Sequence, residues 1–232
     1  MSFKPGFKSR TLLGDFSLSS KLNQVSFPGT TDMHEVTTQA DNGVKRFIPG
    51  QSTSTATLTG FADPDAVTDS VAWTTAQPLT FGQEGIAHSS PVMMVDALKS
   101  SLEVGSPVGG VVSFDLGAQT DGYTNLGVSL HDLTAETADS SSAAYDGGAA
   151  STAGGYAHLH VTAFSGFSGV VVTVEGSANG TTGWATLGTF ATVAAVTGER
   201  IALAASMHRY LRATWDVTGT GSITFAVAAA RL

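Results

Sequence analysis

The chain predicts an all-β protein with one short helix, and three features carry that reading. Thr53, Thr55, Thr57 and Thr59 alternate strictly, which puts a single residue type on one face of a strand. Beyond residue 155, short runs rich in Val, Ile, Thr and aromatic residues recur at even intervals between glycine-containing segments, the spacing of a β-sandwich or barrel. Helical spacing of apolar residues is confined to one stretch after Asp63.

In chain order, residues 1–10 are basic and broken by Pro5 and Gly6, which predicts a flexible N-terminal arm that orders against a partner. Strands are predicted at about 11–18 and 22–27, a turn at Pro28-Gly29, and a third strand at about 33–38. Asn42-Gly43 supplies the positive φ angles of a tight turn, and Pro49-Gly50 punctuates the chain again. Residues 39–51 therefore read as a hairpin loop with Lys45-Arg46 at its tip, leading into a strand over 52–61. Asp63-Pro64-Asp65 fits a helix start, with Asp63 as cap, Pro64 in the first helical position, and Val67, Val71 and Ala72 at helical spacing up to Trp73. Further strands are predicted over 78–81, 92–95, 98–104 and 111–116.

An Ala/Ser/Gly-rich stretch, 136–155, is the predicted linker between a β domain at 11–135 and a C-terminal β-sandwich at 156–232, unless both parts complete one continuous barrel. Strands are expected there at 157–164, 170–177, 184–192, 199–204, 210–217 and 222–231, with Ser165-Gly166-Phe167-Ser168-Gly169 as a hairpin turn. Leu211, Ala213 and Trp215 alternate with Tyr210, Arg212, Thr214 and Asp216, so the first set is assigned to the core.

Charged residues make up 13% of the chain, against about 25% in ordinary soluble domains, which points to a surface rich in Ser, Thr and Gly or covered by partners. Cysteine is absent, which excludes disulfides, thiolate metal sites and cysteine nucleophiles. No apolar run approaches the ~20 residues of a membrane span, and no apolar segment behind the basic N-terminus suggests a secretory signal. Within residues 1–60, Lys4, Lys8, Arg10, Lys21, Lys45 and Arg46 outnumber Asp15, Asp32, Glu35 and Asp41 by two, leaving −10 for the rest of a chain whose total is −8. Such asymmetry suits like copies meeting head to tail, and it lacks the clustered cations of a nucleic-acid reader.

Catalytic patterns are missing. His158-x-His160 puts two imidazoles on one strand face, but no further ligands accompany them, so no metal site is assigned. Asp63, Asp65 and Asp69 match part of a calcium loop that lacks its glycine and its closing glutamate. The glycine-rich stretches 105–110 and 147–155 lack the order that cradles phosphate, and the serines of Ser165–Gly169 lack nucleophile-elbow spacing. Among Trp73, Trp184 and Trp215, Trp184 at a strand start is the best placed for a surface contact, including stacking on a sugar. No catalytic, cofactor-binding or metal-ligating residue is assigned, and no enzyme is predicted.

A run of short segments in a fixed order carries one resemblance. Leu12-Leu13-Gly14-Asp15-Phe16-Ser17-Leu18-Ser19, Leu22-Asn23-Gln24-Val25-Ser26, His34-Glu35-Val36-Thr37-Thr38, Arg46-Phe47-Ile48-Pro49-Gly50 and Leu58-Thr59-Gly60-Phe61 together resemble the N-terminal part of tail tube (major tail) proteins of long-tailed, non-contractile bacteriophages. His208-Arg209-Tyr210-Leu211-Arg212-Ala213-Thr214-Trp215 is similar to closing strands of such proteins. The resemblance implies a tail-tube-like β-sandwich or barrel whose hexameric rings stack into a DNA-conducting tube in the virion tail. Assembly would take place in the host bacterial cytoplasm, with tail terminator, tape-measure and distal tail proteins as further partners and DNA passing without sequence-specific binding. On this basis Asp41, Asn42, Lys45, Arg46, Phe47 and Ile48 are candidates for inter-ring contact, and Thr53, Thr55, Thr57 and Thr59 for the lumen face. The alternatives are a virion decoration or receptor- and carbohydrate-binding sandwich, and a tail-completion protein that forms a single ring.

Overall fold

A computed structural model describes residues 6–41, 43–62, 73–120, 122 and 124–232. The predicted helix at 63–72, with its candidate cap and calcium-loop aspartates, lies outside the described residues; those residues are otherwise all β apart from two short 3-10 turns.

The strand expected over 11–18 is two strands, β1 (Arg10–Leu13) and β2 (Phe16–Ser17), because Gly14 takes a left-handed φ of +56° and folds the chain back. Pro28-Gly29, by contrast, does not turn the chain. β3 (Leu22–Ser26) and β4 (Gly29–Glu35) run consecutively along one partner, β5 (Phe47–Phe61), with Ser26 opposite Thr57 and Gly29 opposite Ser54. The ladder uses only the Pro28 carbonyl, which accepts from Thr55 N–H at 3.0 Å, so the missing proline N–H costs nothing. Pro49-Gly50 also lies inside β5, where β4 is its sole strand neighbour, an edge position that proline tolerates.

β6 (Gln77–Gly82) is followed by β7 (Pro91–Gly105), one long strand where two were expected, with a bulge between Lys99 and Ser101 in place of a break. β8 (Ser113–Thr120) and β9 (Asn125–Glu136) complete this half. β9 has no counterpart in the sequence reading: Val128 to His131 are buried in succession, covered on both faces, so the alternation that marks a half-exposed strand is missing.

In the second half, β10 (Ser140–Ser141) and β11 (Tyr145–Asp146) pair with the closing strand, so the predicted linker segment 136–155 takes part in the sheet. The remaining strands are β12 (Gly155–Ser177), β13 (Ala185–Thr189), β14 (Thr197–Leu203) and β15 (Tyr210–Arg231). β12 and β15 pair along nearly their whole lengths, so Ser165–Gly169 is not a hairpin turn and no loop separates the strands expected at 210–217 and 222–231. Gly166 (φ +80°) and Gly219 (φ +96°) absorb register shifts there, bending the ribbon where a turn would reverse it.

One sheet path, β13-β12-β15-β9-β7-β6-β1-β2, joins the halves. The C-terminal core gathers Leu159, Val172, Leu211, Trp215 and Phe225, and the N-terminal core gathers Leu13, Leu58, Leu79, Phe114 and Leu116. Leu12, Met94, Ala226 and Ala228 form a smaller apolar layer that spans both halves.

A polar seam crosses the same boundary. His160 Nδ1–H donates to the Gly14 carbonyl at 2.8 Å, which leaves Nε2 to accept from the Thr80 hydroxyl at 2.8 Å. The Thr80 oxygen in turn accepts from His158 Nδ1–H at 3.0 Å. Burial pushes the His160 imidazolium down to about 4, and burial, with His160 and Arg200 nearby, also pushes His158 well below its ordinary range. Both rings are therefore neutral, and their strand-face spacing serves this chain of bonds. Beside them Arg200 stacks on Tyr156 and pairs with Asp96 of β7 at 3.2 Å.

Candidate functional site

The N-terminal half projects a hairpin arm. All of β4 and the first residues of β5 are exposed on both faces, uncovered among the described residues over a stretch of about 25 Å at ~3.3 Å per residue. Such an arm would expose apolar surface to water at a cost unless something covers it: Met33 is 57% exposed, Val44 66%, Phe47 47% and Ile48 51%.

Asp41 organises the tip. Its carboxylate accepts from Thr38 N–H at 2.7 Å and the Thr38 hydroxyl at 2.9 Å, and pairs with Arg46 Nε at 2.5 Å. Val44 N–H donates to the Asp41 carbonyl at 2.9 Å, and Gly43 takes the expected positive φ of +82°; Asn42 lies outside the described residues. Lys45 Nζ meets Glu35 at 2.9 Å and holds that carboxyl below its ordinary range. The tip expected to be basic therefore pairs both of its cations internally, while Lys45 and Arg46 stay largely exposed beside the apolar Val44, Phe47 and Ile48. Lys45, Arg46, Phe47 and Ile48 are brought together as expected, while Asp41 is turned inward to the loop. Met33, Val36 and Val44 were missed, although their apolar character in a turn-rich segment was a usable signal.

Beyond the arm, β3/β4, β5, β8 and β7 form a four-stranded unit in that order. Ala56, Leu58, Leu116 and Phe114 line its inner face and sit in the core. The register aligns Thr59 with Asp115 and Glu103, and Thr57 with Gly117 and Ser101, on the opposite face. Gln24 and Ser26 extend that face onto β3, and Gln119 opposite Thr55 extends it along β8. Thr53 continues it onto the arm, opposite Thr30, with their hydroxyls 3.0 Å apart. The four threonines thus belong to a broad, largely polar face that also carries Asp115 and Glu103, with the exposed Leu98 and Phe61 toward its margins. Thr59 donates to Asp115 at 2.5 Å, fixing one of its carboxylates.

Both edges of this unit are open among the described residues. β3 and β4 pair with β5 alone, and the Leu98–Gly105 part of β7 pairs with β8 alone. Open edges are unsatisfied donor and acceptor rows that invite another strand. In the C-terminal half, Trp184 is half-buried with the Arg212 guanidinium 4.1 Å over its ring, and Arg212 is held in turn by Glu175 at 2.7 Å.

No protein-family model matches the chain, and no curated protein does. Among solved structures, it is similar to a protein of the virion of the native gene transfer agent particle, with a TM-score of 0.43 and 12% identity over 53% of this chain and 98% of that one. It is similar to the SPP1 tail tube protein at 0.42 and 13%, over 52% of this chain and 77% of that one. The SPP1 Dit protein, described as a hub adsorption apparatus in phages infecting Gram-positive bacteria, gives 0.38 and 11% over 94% and 98%.

Proposed function

We propose that the protein is a structural subunit of a bacteriophage tail, located in the virion, whose copies close edge to edge into a ring around a DNA-conducting channel and whose rings stack into a tube. The observation that carries this reading is the four-stranded unit itself: among the described residues it has two open edges, one apolar face already buried, and one largely polar face that carries Asp115 and Glu103. Joining the β3/β4 edge of one copy to the β7 edge of the next leaves no edge free once the ring closes. The leftover face then lines the lumen, where hydroxyls and a few carboxylates give a passing polyanion nothing to bind. Six copies per ring, and the terminator, tape-measure and distal tail partners, come from the sequence resemblance.

A single, non-stacking ring is the second reading. It is favoured by the internally neutralised tip: with Lys45 and Arg46 answered by Glu35 and Asp41, the arm supplies little long-range attraction toward an acidic ring face. Negative-stain electron microscopy across a concentration series separates the readings. Hollow stacks are expected; isolated rings select the second reading, and monomeric particles at every concentration contradict both.

A further inference from the structure

The chain holds two Asn-Gly pairs, and one of them, Asn179-Gly180, lies in the turn that joins β12 to β13. The fold requires both of its residues. Gly180 takes a left-handed φ of +75°, and a Cβ there would meet the Tyr210 ring at 2.8 Å, so only glycine fits. Asn179 supplies the oxygen around which the turn folds: Oδ1 accepts from Thr181 N–H at 3.0 Å, Thr182 N–H at 2.9 Å and the Thr181 hydroxyl at 3.2 Å. Its Nδ2 donates to the Thr182 hydroxyl at 2.9 Å, a bond that a carboxylate could not donate.

Asn-Gly is a chemically labile pair, because glycine leaves its own nitrogen sterically open. That nitrogen, after losing its proton to base, attacks the asparagine Cγ. The new N–Cγ bond closes a five-membered succinimide as the Cγ–Nδ2 bond breaks and ammonia leaves. Water then opens the ring at either carbonyl, giving aspartate or β-linked isoaspartate. Asn179 is exposed, so water is at hand.

We propose that the Ser177–Thr182 turn is a chemical lock that keeps Asn179-Gly180 in the amide form, with Ser177 as its positioning residue. Ser177 is fully buried; its oxygen accepts from the Asn179 and Gly180 N–H groups, each at 3.2 Å, and its hydroxyl donates to the Thr182 carbonyl at 2.6 Å. The attacking nitrogen therefore has its proton engaged on a buried acceptor, away from base. The carboxamide is held as well, since turning Cγ toward that nitrogen gives up its bonds to Thr181 and Thr182. Ring closure has to wait for local opening of the turn. The lock stands whether or not rings stack.

Peptide mass mapping follows Asn179 in the folded protein and in the same protein unfolded in urea, held in one mildly alkaline buffer. Loss of Asn179 is expected to be slower in the folded protein by roughly tenfold or more, because the reaction waits for opening. Ser177→Ala should raise the folded rate several-fold toward the urea value, with thermal melts confirming a folded chain. Thr182→Val, at an exposed position, frees Nδ2 alone and should raise it less. Loss as fast in the folded protein as in urea overturns the lock. A folded Ser177→Ala protein that keeps the wild-type rate overturns the role of Ser177; where that variant does not fold, a wild-type rate in Thr182→Val overturns the lock.

Discussion

The two halves of the molecule handle their polar and apolar groups in opposite ways. The C-terminal half closes its core within the chain: Leu159, Val172, Leu211, Trp215 and Phe225 of β12 and β15 pack together, and Trp215 Nε1–H donates to the Ala138 carbonyl at 3.0 Å. Among the described residues, the N-terminal half buries one face of its four-stranded unit and leaves two edges and an arm unpaired. The difference separates two tasks that one sequence must perform. On the proposed reading, stability resides mainly in the half whose core is closed within the chain, and assembly in the half whose edges are left unpaired.

The largest expected effect tests the closed core. Phe225→Ala removes a fully buried ring stacked on His131 and packed edge-on against Trp215, and it should destabilise the fold by about 3–5 kcal/mol in a denaturant titration. Phe47→Asp on the arm should leave the same titration unchanged within about 0.5 kcal/mol while abolishing assembly; equal effects on both assays would erase the distinction between the halves.

Next in size is the seam. Because His160 titrates near 4 in the folded chain and near 6.5 when unfolded, the unfolded state binds the extra proton. Stability from this group is intact above about pH 6.5 and falls by about 3 kcal/mol as pH drops toward 4. His160→Gln should flatten that acid limb in thermal melts taken from pH 7 to pH 4; an unchanged limb would place the acid sensitivity elsewhere. Arg200→Ala, which removes the Asp96 pair and the Tyr156 stack, should cost about 1–2 kcal/mol.

The smallest effect on stability concerns the tip. Reversing both charges, Lys45→Glu with Arg46→Glu, sets like charges against Glu35 and Asp41 and should block stacking with little change in melting. Exchanging partners instead, Glu35→Lys with Lys45→Glu, keeps the tip neutral and should preserve stacking in electron micrographs. Loss of stacking in the exchanged variant would show that the sign of the charge matters, and would restore a charged contact in place of an apolar one.

Much of this comparison was legible in the sequence. The threonine alternation and the core face of Leu211, Ala213 and Trp215 follow from period-two patterning, which survives wherever one strand face is wet, and the hairpin follows from the turn chemistry of Asn42-Gly43. The reading failed where glycine and proline were taken as chain reversals. Pro28, Gly50, Gly166 and Gly219 all sit in or between strands that run on, because a carbonyl-only ladder position, an unpaired edge and a bulge each accept residues that also make turns. β9 was lost for the converse reason, being buried on both faces. The internal pairing of the tip charges depended on Glu35, opposite Phe47 in the ladder, reaching diagonally to Lys45, and that register is not visible without the ladder.

The central claim is that the N-terminal half is finished by other copies and the C-terminal half by itself. Amide hydrogen exchange, compared between the monomeric and the assembled protein, tests it most directly. Protection is expected to rise in β3, β4, the arm tip and Leu98–Gly105, with β12 and β15 unchanged. A rise confined to the C-terminal strands, or assembly without new protection along the two open edges, would contradict the account.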